Sequence, residues 1–110
     1  MTAAKKNLTV LLIARSPDGQ SVFLADGEEL PACEVGEKEH PVEAADRLAR
    51  DLGLVGTDIY TKLRFKNSED IVGIIPYLTD CQNQNLPPAN WGLKDQLIFR
   101  GINVQLEQEI

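Results

Sequence analysis

At 110 residues the chain is sized for one small domain, residues 1–110, which would bury roughly two-thirds of its unfolded surface. Apolar and charged fractions of 43% and 25% support a packed core and exclude a disordered chain. With 11 basic against 17 acidic residues the net charge is −6, which excludes broad binding to nucleic acid, a mode that needs a basic face to displace counterions.

No apolar run approaches the roughly 20 residues of a membrane span, so no membrane association is expected. The segment MTAAKKNLTVLLIA has a basic pair, Lys5 and Lys6, ahead of an apolar run. Arg15 and Pro17 end that run and no small-residue cleavage pattern follows, so it reads as a frayed end and a strand. Cys33 and Cys81 are too few and too isolated for a disulfide framework or a zinc site. A reduced, cytoplasmic setting is the expectation.

In chain order, Leu8–Ala14 is apolar nearly throughout, as in a central strand covered on both faces. Ser16-Pro17-Asp18-Gly19 is a turn, and Val22–Ala25 completes a hairpin. After a turn at Asp26-Gly27, Glu29–Val35 reads as a short third strand, with Pro31 at an edge or bulge. The loop Gly36–His40 follows. Pro41 suits the first turn of a helix running to Leu52, whose apolar face is Ala44, Ala45, Leu48 and Leu52. Gly53 caps it. Ile59–Phe65 alternates like a half-buried strand, Asn67–Asp70 turns the chain, and Ile71–Leu78 is a second central-looking strand interrupted by Pro76. Gln82–Trp91 is a polar loop. From Leu93 to Ile110 two readings stand: a helix face of Leu97, Ile98, Gly101, Ile102 and Leu106, or a strand over Gln96–Val104 favoured by Gly101, Ile102 and Val104. The order of elements is that of an α+β domain.

The stretch Leu30–Leu54, LPACEVGEKEHPVEAADRLARDLGL, carries the chemistry: an acidic loop leading into a short helix closed by glycine. In outline it resembles the box of the Nudix hydrolases, G-x5-E-x7-R-E-U-x-E-E-x-G-U with U aliphatic. Glutamates of that box hold divalent metal against a diphosphate, because carboxylates three or four apart on a helix are surface neighbours. The resemblance implies a three-layer α/β/α sandwich with a mixed sheet. It also implies Mg²⁺ or Mn²⁺ in an active enzyme, and a small phosphorylated ligand such as a nucleotide.

Two registers are open. Anchored on Gly53-Leu54, the aliphatic position is Leu48, the last two glutamates become Arg50 and Asp51, and the Arg-Glu pair becomes Asp46-Arg47. Anchored on Arg47, the arginine is kept, the next glutamate becomes Leu48, and Asp51 takes the second-last position. Both keep Asp51 alone at a metal position, and one carboxylate does not fix the ions that such hydrolysis needs.

Three functions follow. The favoured one is a binding or regulatory domain without hydrolysis, in which Arg47, Arg50 or Arg64 meets phosphate and Trp91 stacks on a base. The second is an atypical diphosphohydrolase using Asp51 with Glu37, Glu39 or Glu43. The third is an interaction module that forms a homodimer. His40 reads as a solvated loop residue, and the two cysteines as small core hydrophobes.

Overall fold

The computed structural model describes residues 8–25, 29–54, 59–66, 73–82, 91–93 and 97–108. They form a mixed sheet with a helix on one face and a β-hairpin on the other.

Strand β1, Thr9–Arg15, is the centre. Val10 to Ala14 are fully buried, and they alternate between two cores. Val10, Leu12 and Ala14 face the helix side, and Leu11 and Ile13 the hairpin side. This is the both-faces-covered strand that its apolar run predicts. β2 (Ser21–Phe23) returns antiparallel beside the end of β1, with Arg15 opposite Val22. The turn between them closes through Ser16 N–H to the Ser21 carbonyl, 2.8 Å, with Gly19 at φ 73°. β3 (Ala32–Glu34) pairs antiparallel with the start of β1.

The helix α1 spans Pro41–Asp51. Ala44, Ala45, Leu48 and Ala49 are its buried residues, and Leu52 is the half-buried C-cap. The predicted capping by Gly53 holds in detail. Gly53 takes φ 74°, its N–H donates to the Arg50 carbonyl, and the Leu54 N–H donates to the Ala49 carbonyl. Those two bonds make a Schellman motif, and they return Leu54 to the core.

β4 (Thr61–Lys62) pairs antiparallel with β5 (Ile74–Asp80), and β5 runs parallel to β1 over seven residue pairs. Pro76 pairs with Leu11 of β1 on one flank, so β5 as a whole is no sheet edge, and the edge expected from proline is confined to the flank where the β4 ladder ends. The Pro76 carbonyl accepts from Leu63 N–H, so its ring nitrogen points to the same flank. There it offers no N–H, and β4 stops at Lys62, just before that position. β6 (Trp91–Leu93) adds antiparallel to β2, giving the order β4-β5-β1-β2-β6, with β3 pairing only β1.

The tail resolves as strand. β7 (Ile98–Phe99) and β8 (Ile102–Asn103) are joined by Arg100 and Gly101, both at positive φ, 51° and 76°. That is a two-residue hairpin turn whose twist matches its strands. Leu97, Phe99 and Val104 close the second core with Leu30, Leu63 and Phe65. The helix face from Leu97 to Leu106 is thus corrected; among the described residues α1 is the only helix, and the mixed sheet and α+β class hold. No helix there is long and apolar enough to cross a membrane. Lys5, Lys6, the turns at Asp26-Gly27 and Asn67–Asp70, and most of the Gln82–Trp91 loop lie outside the described residues.

Candidate functional site

An open groove of about 580 Å³ runs along the solvent side of α1. Its walls carry four carboxylates, Glu39, Glu43, Asp46 and Asp51, and two arginines, Arg47 and Arg50. Val42 and Tyr60 supply the apolar surface. The helix sorts these residues: positions 44, 45, 48 and 49 cover the sheet, so 43, 46, 47, 50 and 51 are turned away from it.

Arg47 is the most constrained of them. Its Nε donates to Glu39 Oε2 at 3.0 Å, and one terminal nitrogen donates to Glu39 Oε1 at 3.0 Å and to the Glu34 carbonyl at 2.9 Å. Glu39 Oε1 also accepts the Gly36 N–H at 2.9 Å. One forked pair thus ties the loop to both α1 and the end of β3. The Arg47 bond, with the Gly36 N–H second, holds the Glu39 carboxyl below its ordinary range, and Glu39 raises Arg47 in return. Cys33 lies beside this cluster, 4.0 Å from Arg47, and burial raises its thiol against the pull of the guanidinium.

The second pair is looser. Arg50 reaches Asp46 Oδ2 at 2.8 Å across one helical turn, with its side chain 76% exposed. An exposed i,i+4 pair contributes only about 0.3–0.5 kcal/mol. The other Asp46 oxygen accepts the Tyr60 hydroxyl at 3.0 Å, which ties the helix to the segment entering β4. Glu43 caps the helix start by accepting the His40 N–H at 3.2 Å. Asp51 is exposed on the last turn.

The groove therefore brings together Glu39, Glu43, Asp51, Arg47 and Arg50 from the candidates named above. It does not gather the rest. Glu37 is exposed on the loop and is not part of the lining. Arg64 borders a different hollow of about 370 Å³, with Lys62, Phe65 and Glu107. Trp91 stands on β6, edge-on to Phe23 with centroids 5.7 Å apart, where it packs against the helix-side core. Among the described residues no three His, Cys, Asp or Glu side chains group in a way that would hold a metal ion.

Tyr60 and Val42 were not singled out by the sequence. The alternation through Ile59–Phe65 does set Tyr60 opposite the buried Leu63 and Phe65, and that is the signal which would have found it. A scan against protein-family models returns no match, and no curated protein matches the chain.

Proposed function

We propose that this chain is a Nudix-like domain that has given up metal-dependent hydrolysis and uses the groove over α1 to bind a small phosphorylated ligand such as a nucleotide. One observation carries the reading. Leu48 and Leu54 are buried and Gly53 holds the left-handed cap, which fits the register anchored on Gly53-Leu54. In that register the three helix positions that carry glutamate in the Nudix box are Arg47, Arg50 and Asp51, and all three line the groove. Two of the three are arginines, so a divalent cation would meet repulsion where it should meet ligands.

The competing register is favoured by Glu39 and Arg47, which pair at a separation of eight residues, that of the loop glutamate and arginine in the consensus. It also puts a metal carboxylate at Leu48, in the core beneath the helix. Burying an unpaired carboxylate is far costlier than an exposed ion pair is stabilising, so the burial of Leu48 supports the register anchored on Gly53-Leu54.

Of the two arginines, Arg47 is committed to Glu39 and the Glu34 carbonyl, whereas Arg50 is held by one weak pair. Arg50 is therefore the cation that meets phosphate, in a reduced, cytoplasmic setting. Four carboxylates against two arginines keep the affinity modest.

The test is release of phosphate or pyrophosphate from a panel of nucleoside diphosphate derivatives with Mn²⁺, repeated with chelator, with Asp51→Asn as control. The expected result is no turnover, together with a thermal shift by at least one compound that chelator leaves unchanged. Chelator-sensitive turnover lost in Asp51→Asn would overturn the reading in favour of an atypical hydrolase. A homodimer is a second reading, favoured by the exposure of Ile59 and Leu93, 67% and 64%. A monomer by light scattering at micromolar concentration would refute it.

A further inference from the structure

The groove contains its own competitor for an anionic ligand. Among the described residues Arg50 is the lining cation whose contacts are weak enough to exchange, and its partner is a carboxylate of the same helix, Asp46, 2.8 Å away. Asp46 does not move freely with Arg50. Its Oδ1 accepts the Tyr60 hydroxyl at 3.0 Å, and its side chain is 28% exposed against 76% for Arg50. The fixed member of the pair is thus the carboxylate, and the mobile member is the guanidinium.

Asp46 engages one Arg50 nitrogen and offsets its charge, so a phosphate or carboxylate entering the groove meets a weakened cation until that pair opens. The other charged groups do not supply a substitute. Arg47 is held by Glu39 on two atoms and by the Glu34 carbonyl, while Glu43 and Asp51 repel an anion.

We propose that the Asp46–Arg50 pair, anchored by Tyr60, is an autoinhibitory contact that lowers the groove's affinity for anionic ligands and is broken when one binds. Removing the charge of Asp46 then tightens binding, although Asp46 itself lines the groove. This is the reverse of what truncating a ligand-contacting residue does. The proposal rests on the binding reading above.

The probes are ADP and inorganic pyrophosphate, titrated calorimetrically with chelator present into the wild-type chain, Asp46→Asn, Arg50→Ala and the double variant. Asp46→Asn suits the purpose because the amide oxygen can still accept the Tyr60 hydroxyl while the charge opposite Arg50 disappears. An exposed i,i+4 ion pair of ordinary strength predicts binding about twofold tighter in Asp46→Asn. It also predicts loss of binding in Arg50→Ala and no gain from Asp46→Asn in the Arg50→Ala background.

Equal or weaker binding by Asp46→Asn, with Arg50→Ala still impaired, overturns the autoinhibitory contact and leaves the binding reading standing. A gain that survives in the Arg50→Ala background overturns it too, because a general change of field would then be the cause. Failure of wild type and Asp46→Asn alike to bind either probe overturns both. Circular dichroism of each variant establishes that a lost signal is not a lost fold.

Discussion

Replacing Leu48 by alanine removes the side chain on which α1 rests against the sheet. Leu48 is 8% exposed and belongs to the core with Val10, Leu12, Ala14 and Tyr77. Three carbons leave the core, and at about 0.8 kcal/mol per buried methylene the transfer term alone is roughly 2.4 kcal/mol. The neighbours on the helix are alanines, Ala44, Ala45 and Ala49, which are too small to fill the space left behind. A cavity term is therefore added, and the expected total is about 2.5–4 kcal/mol. Alanine's better helix propensity returns only a few tenths of a kcal/mol. For a chain this size the loss corresponds to a Tm lower by roughly 10–15 °C. Urea unfolding followed by far-ultraviolet circular dichroism reads it directly. A change below about 0.5 kcal/mol, the usual range for surface positions, would place residue 48 on the solvent side. The helix would then be rotated and the register that assigns Arg47, Arg50 and Asp51 to the groove would fail.

Three further outcomes are expected. Thr79 Oγ1 is buried and has no hydrogen-bond partner among the described residues, so Thr79→Val should raise stability by about 1 kcal/mol, read as a higher urea midpoint at unchanged slope. Gly53→Ala forces a side chain into φ 74° and should cost about 1–2 kcal/mol by the same measurement; the strain is conformational, because no atom of the described residues lies within 4 Å of the added carbon. Arg47 holds the Glu39 carboxyl below its ordinary value of 4.5, so the folded state binds that proton more weakly than the unfolded chain. Stability from this pair is complete above that value and is lost as pH falls through the lower folded value; the urea midpoints of wild type and Glu39→Gln should therefore converge as pH falls below 4.5.

What was legible in the sequence follows from how locally each feature is determined. The run Leu8–Ala14 has no polar side to turn outward except Thr9, so a doubly covered strand is its one economical environment. Pro41 and Gly53 bracket α1 because one tolerates and the other demands a special backbone, and neither depends on the rest of the fold. The tail was ambiguous for the opposite reason. Leu97, Ile98, Ile102 and Leu106 satisfy a helical period, and only the positive φ of Arg100 and Gly101 makes the hairpin. Gly101 signalled this, whereas Arg100 carries no such mark in the sequence. Pro76 misled because proline's rule concerns one flank of a strand. A strand as short as β4 can end before the missing donor is needed.

The site was harder to read because charge alone does not say which residues are already engaged. From the sequence, Glu37, Glu39 and Glu43 are equivalent acidic neighbours of a helix. In the fold Glu39 is consumed by Arg47 and Gly36, Glu43 caps the helix, and Glu37 lies outside the groove. The same holds for the arginines, since Arg64 is separated from the groove by the fold itself. What remains over α1 is a surface on which two arginines stand among four carboxylates, and the proposed register puts those arginines where a metal site needs anions. On the proposed register, metal recruitment there requires carboxylates at 47 and 50, and such a change would also release Glu39 from the helix and Asp46 from its partner. On the proposed reading, the structural pairs and the absence of hydrolysis are two consequences of the same two arginines. A reversal at either position alone would leave one carboxylate pair unneutralised without completing a site.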